Sequence, residues 1–155
     1  MIQAVRGTKD ILPVDITKWH YIENIIRNIT ERYIYKEIRT PIFEKTEVFS
    51  RSIGENTDIV NKEMYTFNDK GGDSITLRPE QTAALIRSVI QNNLTNDIST
   101  LRLWYLGPYF RYERPQKGRL RQFHQFGVEC IASPNPEADA EIILLANQLI
   151  KNLGI

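Results

Sequence analysis

The sequence is short of the residues and segments on which several protein classes depend. It has one cysteine, Cys130, and two histidines, so an internal disulfide is excluded and a zinc site is implausible. Its net charge is +1, which gives no overall attraction to nucleic acid or to an anionic membrane. No apolar run approaches the length of a membrane span, and the first residues lack the apolar core of a signal peptide. We therefore expect a protein of a reducing compartment, without a membrane span and without a protein-built metal site.

The composition that is present is typical of a globular protein. Hydrophobic residues make up 41% and charged residues 25% of the 155 positions, enough to bury a core. The length predicts one domain, or part of one. Because the overall charge is nearly balanced, any contact with RNA must come from a local basic patch.

The most informative stretch runs from Tyr105 to Glu129 and predicts two long strands joined by a loop. The first strand is predicted from Leu101 to Arg114, and its alternation puts Arg111 and Glu113 on one face. The second strand begins at Gln122, and three of its residues share one face, namely Gln125, Gly127 and Glu129. Such a polar face could bind a small zwitterion and a polyphosphate together.

Residues 114–121 form the loop between these strands. Four of the eight are cationic, and Pro115 and Gly118 interrupt any regular structure. If the protein contacts RNA, this loop is the obvious basic patch for it, although a solvated basic hairpin loop is the simpler alternative.

Several peptides together carry a family resemblance. The run FRYERPQKGRLRQFHQ resembles motif 2 of the class II aminoacyl-tRNA synthetases, and in this form it is similar to histidyl-tRNA synthetases. RGTKDILP near the N-terminus and LRPEQTA at residues 77–83 also resemble signatures of that family. The second departs at Gln81, where the resemblance leads us to expect glycine, and a backbone with positive φ would resist glutamine.

A long helix and a proline-bearing strand precede these peptides. Apolar residues at three- and four-residue steps predict a helix from about Ile16 to Tyr35, capped by Asp15 or Thr17. A strand is predicted over residues 37–44, and Pro41 places it at an edge or an interface. This arrangement resembles motif 1, at about residues 16–44. In the family, motif 1 forms the homodimer interface, which implies that role for Pro41. A proline at a free sheet edge is the alternative.

The remaining elements complete an α+β prediction. A short helix is expected over residues 46–52, a loop over 54–61, a hairpin from residues 63–68 and 74–78, and a helix from Pro79 or Glu80 to about Asn92. A last helix begins after Asn135 and ends at Gly154. The resemblance implies an antiparallel sheet flanked by helices, of the class II synthetase catalytic-domain type. Motif 2 spans about residues 105–131.

The resemblance also implies site residues. Arg111 would stabilise the transition state at the α-phosphate of ATP and is the catalytic residue, although a plain ion pair with Glu113 is the structural alternative. ATP binding would further involve Glu113 at the adenine amino group, Arg119 at the outer phosphates and Phe123 stacked on adenine. Mg²⁺ would bridge the phosphates. Histidine would be bound by four residues, Glu80, Thr82, Gln125 and Glu129. Glu80 has a simpler alternative, as an acidic residue in the first turn of a helix.

Partners and completeness follow from the same resemblance. The loop residues Arg114, Lys117 and Arg121 would contact the acceptor end of tRNA(His), and a homodimer is expected. A third motif, a histidine-specific peptide and an anticodon-binding domain are absent. We therefore expect an N-terminal part of a catalytic domain that is inactive alone, from a cytoplasmic or organellar enzyme. One alternative is a histidine-sensing regulatory subunit of ATP phosphoribosyltransferase, and another is a small RNA-binding module.

Overall fold

The computed structural model describes residues 1–53, 63–96, 99–114 and 116–155. Within these ranges the helices are α1 (Pro13–Arg32), α2 (Thr46–Ile53), α3 (Thr82–Gln91) and α4 (Pro136–Leu153). The strands are β1 (Lys36–Glu37), β2 (Phe43–Lys45), β3 (Tyr65–Asn68), β4 (Ser74–Leu77), β5 (Leu101–Phe110) and β6 (Gln122–Ile131). This is the predicted α+β class. None of the helices in these ranges is long and apolar enough to cross a membrane.

The described strands form two sheets, and the chain divides into two compact units. One sheet has the order β1-β5-β6, with β1 parallel to β5, and the other has the order β2-β4-β3, with antiparallel pairs. The first unit comprises residues 1–9, 39–93 and 106–126. The second comprises residues 10–38, 94–105 and 127–155. The parallel pair was not predicted, because β1 is only two residues long and its partner is far away in the chain.

Each unit has its own buried apolar residues. In the first unit they lie on α2, α3 and β5, and they are Phe49, Ala83, Ala84, Leu85, Val89 and Tyr109. In the second unit they lie on or near α1, β5 and α4, and they are Ile26, Ile29, Tyr35, Leu101, Leu103, Trp104, Tyr105 and Leu145. Complete burial of a side chain such as Leu145 contributes roughly 1.5–3 kcal/mol.

Helix α1 begins and ends about three residues earlier than the periodicity predicts. Pro13 occupies the first helical position, where its missing N–H costs nothing, and the preceding Leu12 makes no side-chain cap. The predicted caps, Asp15 and Thr17, therefore lie inside the helix. At the other end the helix stops at Arg32, and Ile34, with a φ of +61°, is 75% exposed instead of packing against the core.

The single strand predicted over residues 37–44 is wrong. It is replaced by β1 and β2, which pair in different sheets, β1 with β5 and β2 with β4. Pro41 is exposed between them, and the absence of its N–H suits a position outside both ladders. Its place at a dimer interface stays a prediction.

The hairpin and the last helix are confirmed, whereas α3 begins later than predicted. Strands β3 and β4 pair around Asp69, whose Oδ1 atom accepts bonds from the N–H groups of Gly71 and Asp73 at 2.8 and 2.9 Å. Helix α3 begins at Thr82, after a Gln81 with a φ of −108°. The backbone at residue 81 therefore has no positive φ that would resist glutamine. The loop predicted over residues 54–61 lies outside the described residues.

Candidate functional site

The predicted catalytic arginine lies directly after β5, not on it. Strand β5 ends at Phe110, and Arg111 makes one further backbone bond, from its N–H to the carbonyl of Arg121 at 3.0 Å. The next N–H, of Tyr112, donates to Glu63 at 2.7 Å, and that of Glu113 donates to Arg111 itself at 2.8 Å. The ladder therefore stops, because these donors are taken by residues outside the neighbouring strand.

The guanidinium of Arg111 is fixed by two contacts. Its Nε atom donates to the carbonyl oxygen of Pro79 at 3.0 Å, and its Cζ atom lies 5.2 Å from the ring centre of Phe123. A guanidinium has five N–H donors, so the bond to Pro79 leaves others for an anion. The side chain is 27% exposed, which allows a ligand to reach it.

Glu113 lies between two cationic side chains. Its Oε1 atom is 4.0 Å from Nη1 of Arg111, and its Oε2 atom is 3.4 Å from Nη1 of Arg119. Glu113 is 15% exposed and Arg119 is 65% exposed, so the carboxylate is sheltered while the Arg119 guanidinium reaches solvent. The ion pair of Arg111 with Glu113, which the sequence analysis gave as an alternative, is present but has a long distance of 4.0 Å.

The four residues predicted to bind ATP come together around one cavity. Its volume is about 520 Å³. It is lined by the four predicted residues together with Glu63, Gly118, Leu120 and His124, the four being Arg111, Glu113, Arg119 and Phe123. The cavity therefore combines two guanidinium groups, two carboxylates, a phenyl ring and an imidazole, all within the first unit.

Glu80 caps helix α3. Its Oε2 atom accepts a bond from the backbone N–H of Thr82 at 2.6 Å, and its Oε1 atom accepts one from Ala83 at 3.0 Å. The alternative reading from the sequence, an acidic residue in the first turn, is therefore wrong in its position, because α3 begins at Thr82 and Glu80 caps it from outside the helix. A carboxylate has about four lone-pair directions, so both oxygens can accept further bonds. The cap holds the carboxylate at the exposed start of α3, where Thr82 is exposed as well.

Gln125 carries a buried acceptor. Its Oε1 atom accepts no hydrogen bond from the described residues. A buried acceptor without a partner costs about 1–3 kcal/mol, which a ligand donor could offset. Glu129, the fourth residue predicted at histidine, is half-buried on the part of β6 that belongs to the second unit.

The basic loop is a tight hairpin tip. Gln116 and Arg119 exchange backbone bonds of 3.2 and 2.9 Å, which leaves Lys117 and Gly118 at the tip, the glycine with a φ of +81°. Arg114 and Lys117 are exposed. The loop thus presents cationic groups to solvent, as expected from the sequence.

Arg121 differs from the exposed Arg114 and Lys117, because its side chain is engaged within the protein. Its Cζ atom lies 4.1 Å from the ring centre of Tyr112, and its Nε atom donates to the carbonyl of Glu113 at 3.3 Å. Its backbone N–H donates to the carbonyl of Gly7 at 2.7 Å, so the N-terminal segment around Gly7 contacts the loop. Arg121 therefore supports the loop, whatever it contacts outside the protein.

A family model described as histidyl-tRNA synthetase matches residues 7–155. The chain belongs to the histidyl-tRNA synthetase family. It is 60% identical to the histidine–tRNA ligase of Thermosipho africanus over 155 residues, which are 100% of this chain and 37% of that protein. It is also 60% identical to the chloroplastic histidine–tRNA ligase of Gracilaria tenuistipitata, over 99% of this chain and 36% of the relative. The chain thus spans little more than a third of the length of these relatives.

Solved structures give the same family. The apo S. aureus histidyl-tRNA synthetase superposes with a TM-score of 0.83 and 46% identity, over 99% of this chain and 35% of that one. A Bacillus halodurans protein described as an ATP phosphoribosyltransferase regulatory subunit/histidyl-tRNA synthetase superposes with a TM-score of 0.82 and 26% identity, over 100% and 39%. The predicted fold class is confirmed by these neighbours.

The sequence pattern does not predict the burial of two polar residues of this synthetase chain. Arg78 is 6% exposed and Gln81 is 1% exposed, although both residue types usually face water. Arg78 donates from Nε to Pro108 at 2.9 Å and from Nη1 to Thr40 at 3.1 Å. Burial lowers the pKa of the Arg78 guanidinium from its ordinary value. The LRPE run marks this position as unusual, but only the fold reveals what its side chains contact.

The described residues contain no group of three or more His, Cys, Asp or Glu that could hold a metal ion. Mg²⁺ bound with a nucleotide needs only one or two protein carboxylates, since phosphates and waters supply its other ligands. Glu63 lines the same cavity and could supply such a carboxylate.

Proposed function

We propose that the protein to which this chain belongs is a histidine–tRNA ligase, and that the chain supplies motifs 1 and 2 of its catalytic domain. The observation that carries this is the cavity, in which the four residues assigned to ATP lie together. Histidine would be activated by ATP to histidyl-adenylate and then transferred to the terminal ribose of tRNA(His). A third motif, a histidine-specific peptide and an anticodon-binding domain would lie in the rest of the enzyme, which makes this chain inactive alone.

Arg111 is the catalytic residue in this proposal. A carboxylate oxygen of histidine attacks the α-phosphorus, the bond to the pyrophosphate oxygen breaks, and charge builds up on the phosphoryl oxygens. A guanidinium fixed by the Pro79 carbonyl can donate to those oxygens without reorganising. Removing one such donor costs about 3 kcal/mol, or roughly a hundredfold in rate.

The rest of the cavity would hold ATP. Phe123 would stack on adenine, Glu113 would accept from the adenine amino group, and Arg119 would reach the outer phosphates. Mg²⁺ would neutralise phosphate charge, and Glu63 is the carboxylate of the cavity that has no other role in this proposal.

Histidine would be bound by the remaining polar groups. Its ammonium group can donate to Glu80, to the hydroxyl of Thr82 and to the buried Oε1 atom of Gln125, which accepts no bond from the described residues. Glu129 would accept from a ring N–H of the imidazole. In this arrangement the ligand satisfies an acceptor that the described protein leaves unpaired.

The exposed cations would contact the other partners. Arg114 and Lys117, with Arg121 behind them, would bind phosphates at the acceptor end of tRNA(His). Pro41, exposed between β1 and β2, would lie at a homodimer interface. The enzyme would act in the cytoplasm or in an organelle, as the chloroplastic relative does.

Histidine-dependent exchange of pyrophosphate into ATP by the full-length protein tests the proposal. Wild-type protein should exchange with histidine and not with the other amino acids, and Arg111→Ala should lower the rate roughly a hundredfold. Arg51→Ala is the control, since Arg51 is 82% exposed and pairs only weakly with Glu47 at 3.8 Å. Near-wild-type exchange by Arg111→Ala would refute the role of Arg111.

The same assay, together with ligand binding, distinguishes a ligase from a regulatory subunit. A histidine sensor would bind histidine without any effect of ATP, whereas a ligase would exchange pyrophosphate and bind an adenylate analogue tightly. The arginines around the cavity and the higher identity to ligases, 60% against 26%, favour the ligase.

A further inference from the structure

Gln81 has a side chain at a position where the family signature leads us to expect glycine. Its backbone φ of −108° and ψ of −32° suit any residue, so no conformational reason calls for glycine here. The side chain is 1% exposed. A buried amide costs free energy unless its donors and acceptor are bonded, so its partners indicate what it does.

The amide of Gln81 joins three parts of the first unit. Its Nε2 atom donates to the hydroxyl of Thr40 at 3.0 Å, in the segment before β2. Its Oε1 atom accepts from the hydroxyl of Tyr109 on β5 at 2.9 Å and from Nη1 of Arg78 at 3.4 Å. Thr40, Tyr109 and Arg78 are buried themselves. A buried network with its members bonded in this way holds its elements in one arrangement.

The network holds the turn between β4 and α3. Arg78 is tied to β5 through its Nε bond to Pro108 at 2.9 Å and through the bond from the Phe110 N–H to its carbonyl at 3.0 Å. Gln81 ties the other end of the same turn to Tyr109. Between these anchors lies Pro79, whose carbonyl oxygen accepts from Nε of Arg111.

We infer that Gln81 is a positioning residue for Arg111. The amide fixes the turn, the turn fixes the Pro79 carbonyl, and that carbonyl sets the plane of the guanidinium that faces the cavity. The inference rests on the proposed function, because it concerns the rate that Arg111 supports. A shift of about 1 Å in a catalytic group can cost as much as a hundredfold in rate.

Replacing the amide by an apolar side chain of similar length tests this in the full-length protein. Gln81→Met keeps the volume and removes the three hydrogen bonds. We expect kcat for histidine-dependent pyrophosphate exchange to fall about tenfold, with smaller changes in KM. Gln81→Glu keeps an acceptor for Tyr109 and Arg78 and should recover most of the rate.

A double-mutant cycle separates positioning from a general loss of stability. If Gln81 acts through Arg111, Gln81→Met should lower the rate less than twofold when Arg111→Ala is already present. An equal loss in both backgrounds, or an unchanged kcat in Gln81→Met, would overturn the inference. If Gln81→Met does not fold, Tyr109→Phe removes one bond to the same Oε1 atom and should give a smaller loss with the same dependence on Arg111. Absence of exchange in the wild type would instead refute the proposed function.

Discussion

The carboxylate of Glu80 accepts a hydrogen bond from the backbone N–H of Thr82 at 2.6 Å. With the second bond, from Ala83 at 3.0 Å, it caps helix α3 and is held still by that cap. Glu80 and Thr82 are two of the residues we assign to the ammonium group of histidine. A helix cap that also presents its carboxylate to a ligand would be preorganised without any further support.

Glu80→Ala should therefore weaken both stability and histidine binding. Loss of the cap should lower the free energy of unfolding by about 1 kcal/mol. Loss of the carboxylate should raise KM for histidine at least tenfold, with little change in KM for ATP. Denaturant unfolding measures the stability, and pyrophosphate exchange measures KM, both with the full-length protein.

Asp69→Ala is the matched control for Glu80→Ala. Its carboxylate also accepts two backbone N–H bonds, in the β3–β4 turn, and no substrate role is assigned to it. It should lower stability by a similar amount and leave KM for histidine unchanged. If Glu80→Ala behaves in the same way, Glu80 is a cap only.

Gln125→Leu should weaken histidine binding but, unlike Glu80→Ala, should raise the stability of the unliganded protein. It removes the buried Oε1 atom that accepts no bond from the described residues, so the unliganded protein should become about 1 kcal/mol more stable. It also removes an acceptor for the histidine ammonium group, so KM for histidine should rise about tenfold.

Gln122→Leu is the control for Gln125→Leu, because it lies on the same strand with the opposite side-chain direction. It should leave KM for histidine near the wild-type value. A lower stability of Gln125→Leu, with unchanged KM, would contradict the role assigned to Gln125.

Local patterns predict most of the elements because the information lies within a few residues. The alternation after Leu101 and after Gln122 predicts β5 and β6, and the Asn135-Pro136 start predicts α4. The Asp69 turn likewise follows from its own sequence. The cavity residues could be named because one run carries nearly all of them, and because that run has a family resemblance.

The wrong predictions arise where contacts with residues distant in the sequence determine the local structure. Strand β5 ends early because the N–H of Tyr112 donates to Glu63, about fifty residues earlier in the chain. The strand around Pro41 divides because β1 and β2 pair in different sheets. The burial of Arg78 and Gln81 depends on Thr40 and Tyr109, which no local pattern connects to them.

Replacing Ile34 by glycine should stabilise the protein. The N–H groups of Ile34 and Tyr35 donate to Glu31 and Thr30, a common helix ending whose left-handed residue is usually glycine. The left-handed conformation costs an L-residue about 1–2 kcal/mol. Glycine avoids that cost, but part of the gain is lost because glycine makes the unfolded chain more flexible. Ile34→Gly should raise the free energy of unfolding by about 0.5–1 kcal/mol, since the side chain is 75% exposed.

Asn93→Gly provides the comparison for Ile34→Gly. Asn93 has a similar φ of +52°, but asparagine tolerates this conformation, so the gain should be within about 0.5 kcal/mol. Equal changes in stability at the two positions, or a loss of stability in Ile34→Gly, would show that backbone strain at Ile34 does not determine the effect of the substitution.

Glu141 joins α4 to β5 and to Tyr35 in the second unit. Arg102 donates to its two oxygens at 2.9 and 3.3 Å, and the hydroxyl of Tyr35 donates to Oε1 at 3.2 Å. The hydrogen bond from Arg102 lowers the pKa of Glu141 from its ordinary value. Burial, followed by the charge of Glu141, raises the pKa of Tyr35, which therefore stays a neutral donor.

The stability that this cluster contributes should depend on pH. Because the folded state lowers the pKa of Glu141, its ionised form stabilises the protein above the ordinary pKa, and that contribution is lost as pH falls through the folded value. Glu141→Gln should cost about 1 kcal/mol near neutral pH, since the pair is partly exposed. The difference from wild type should shrink when denaturant unfolding is repeated from about pH 7 down to about pH 3. A difference that is constant over this range would mean that the charge of Glu141 contributes nothing and that only its shape matters.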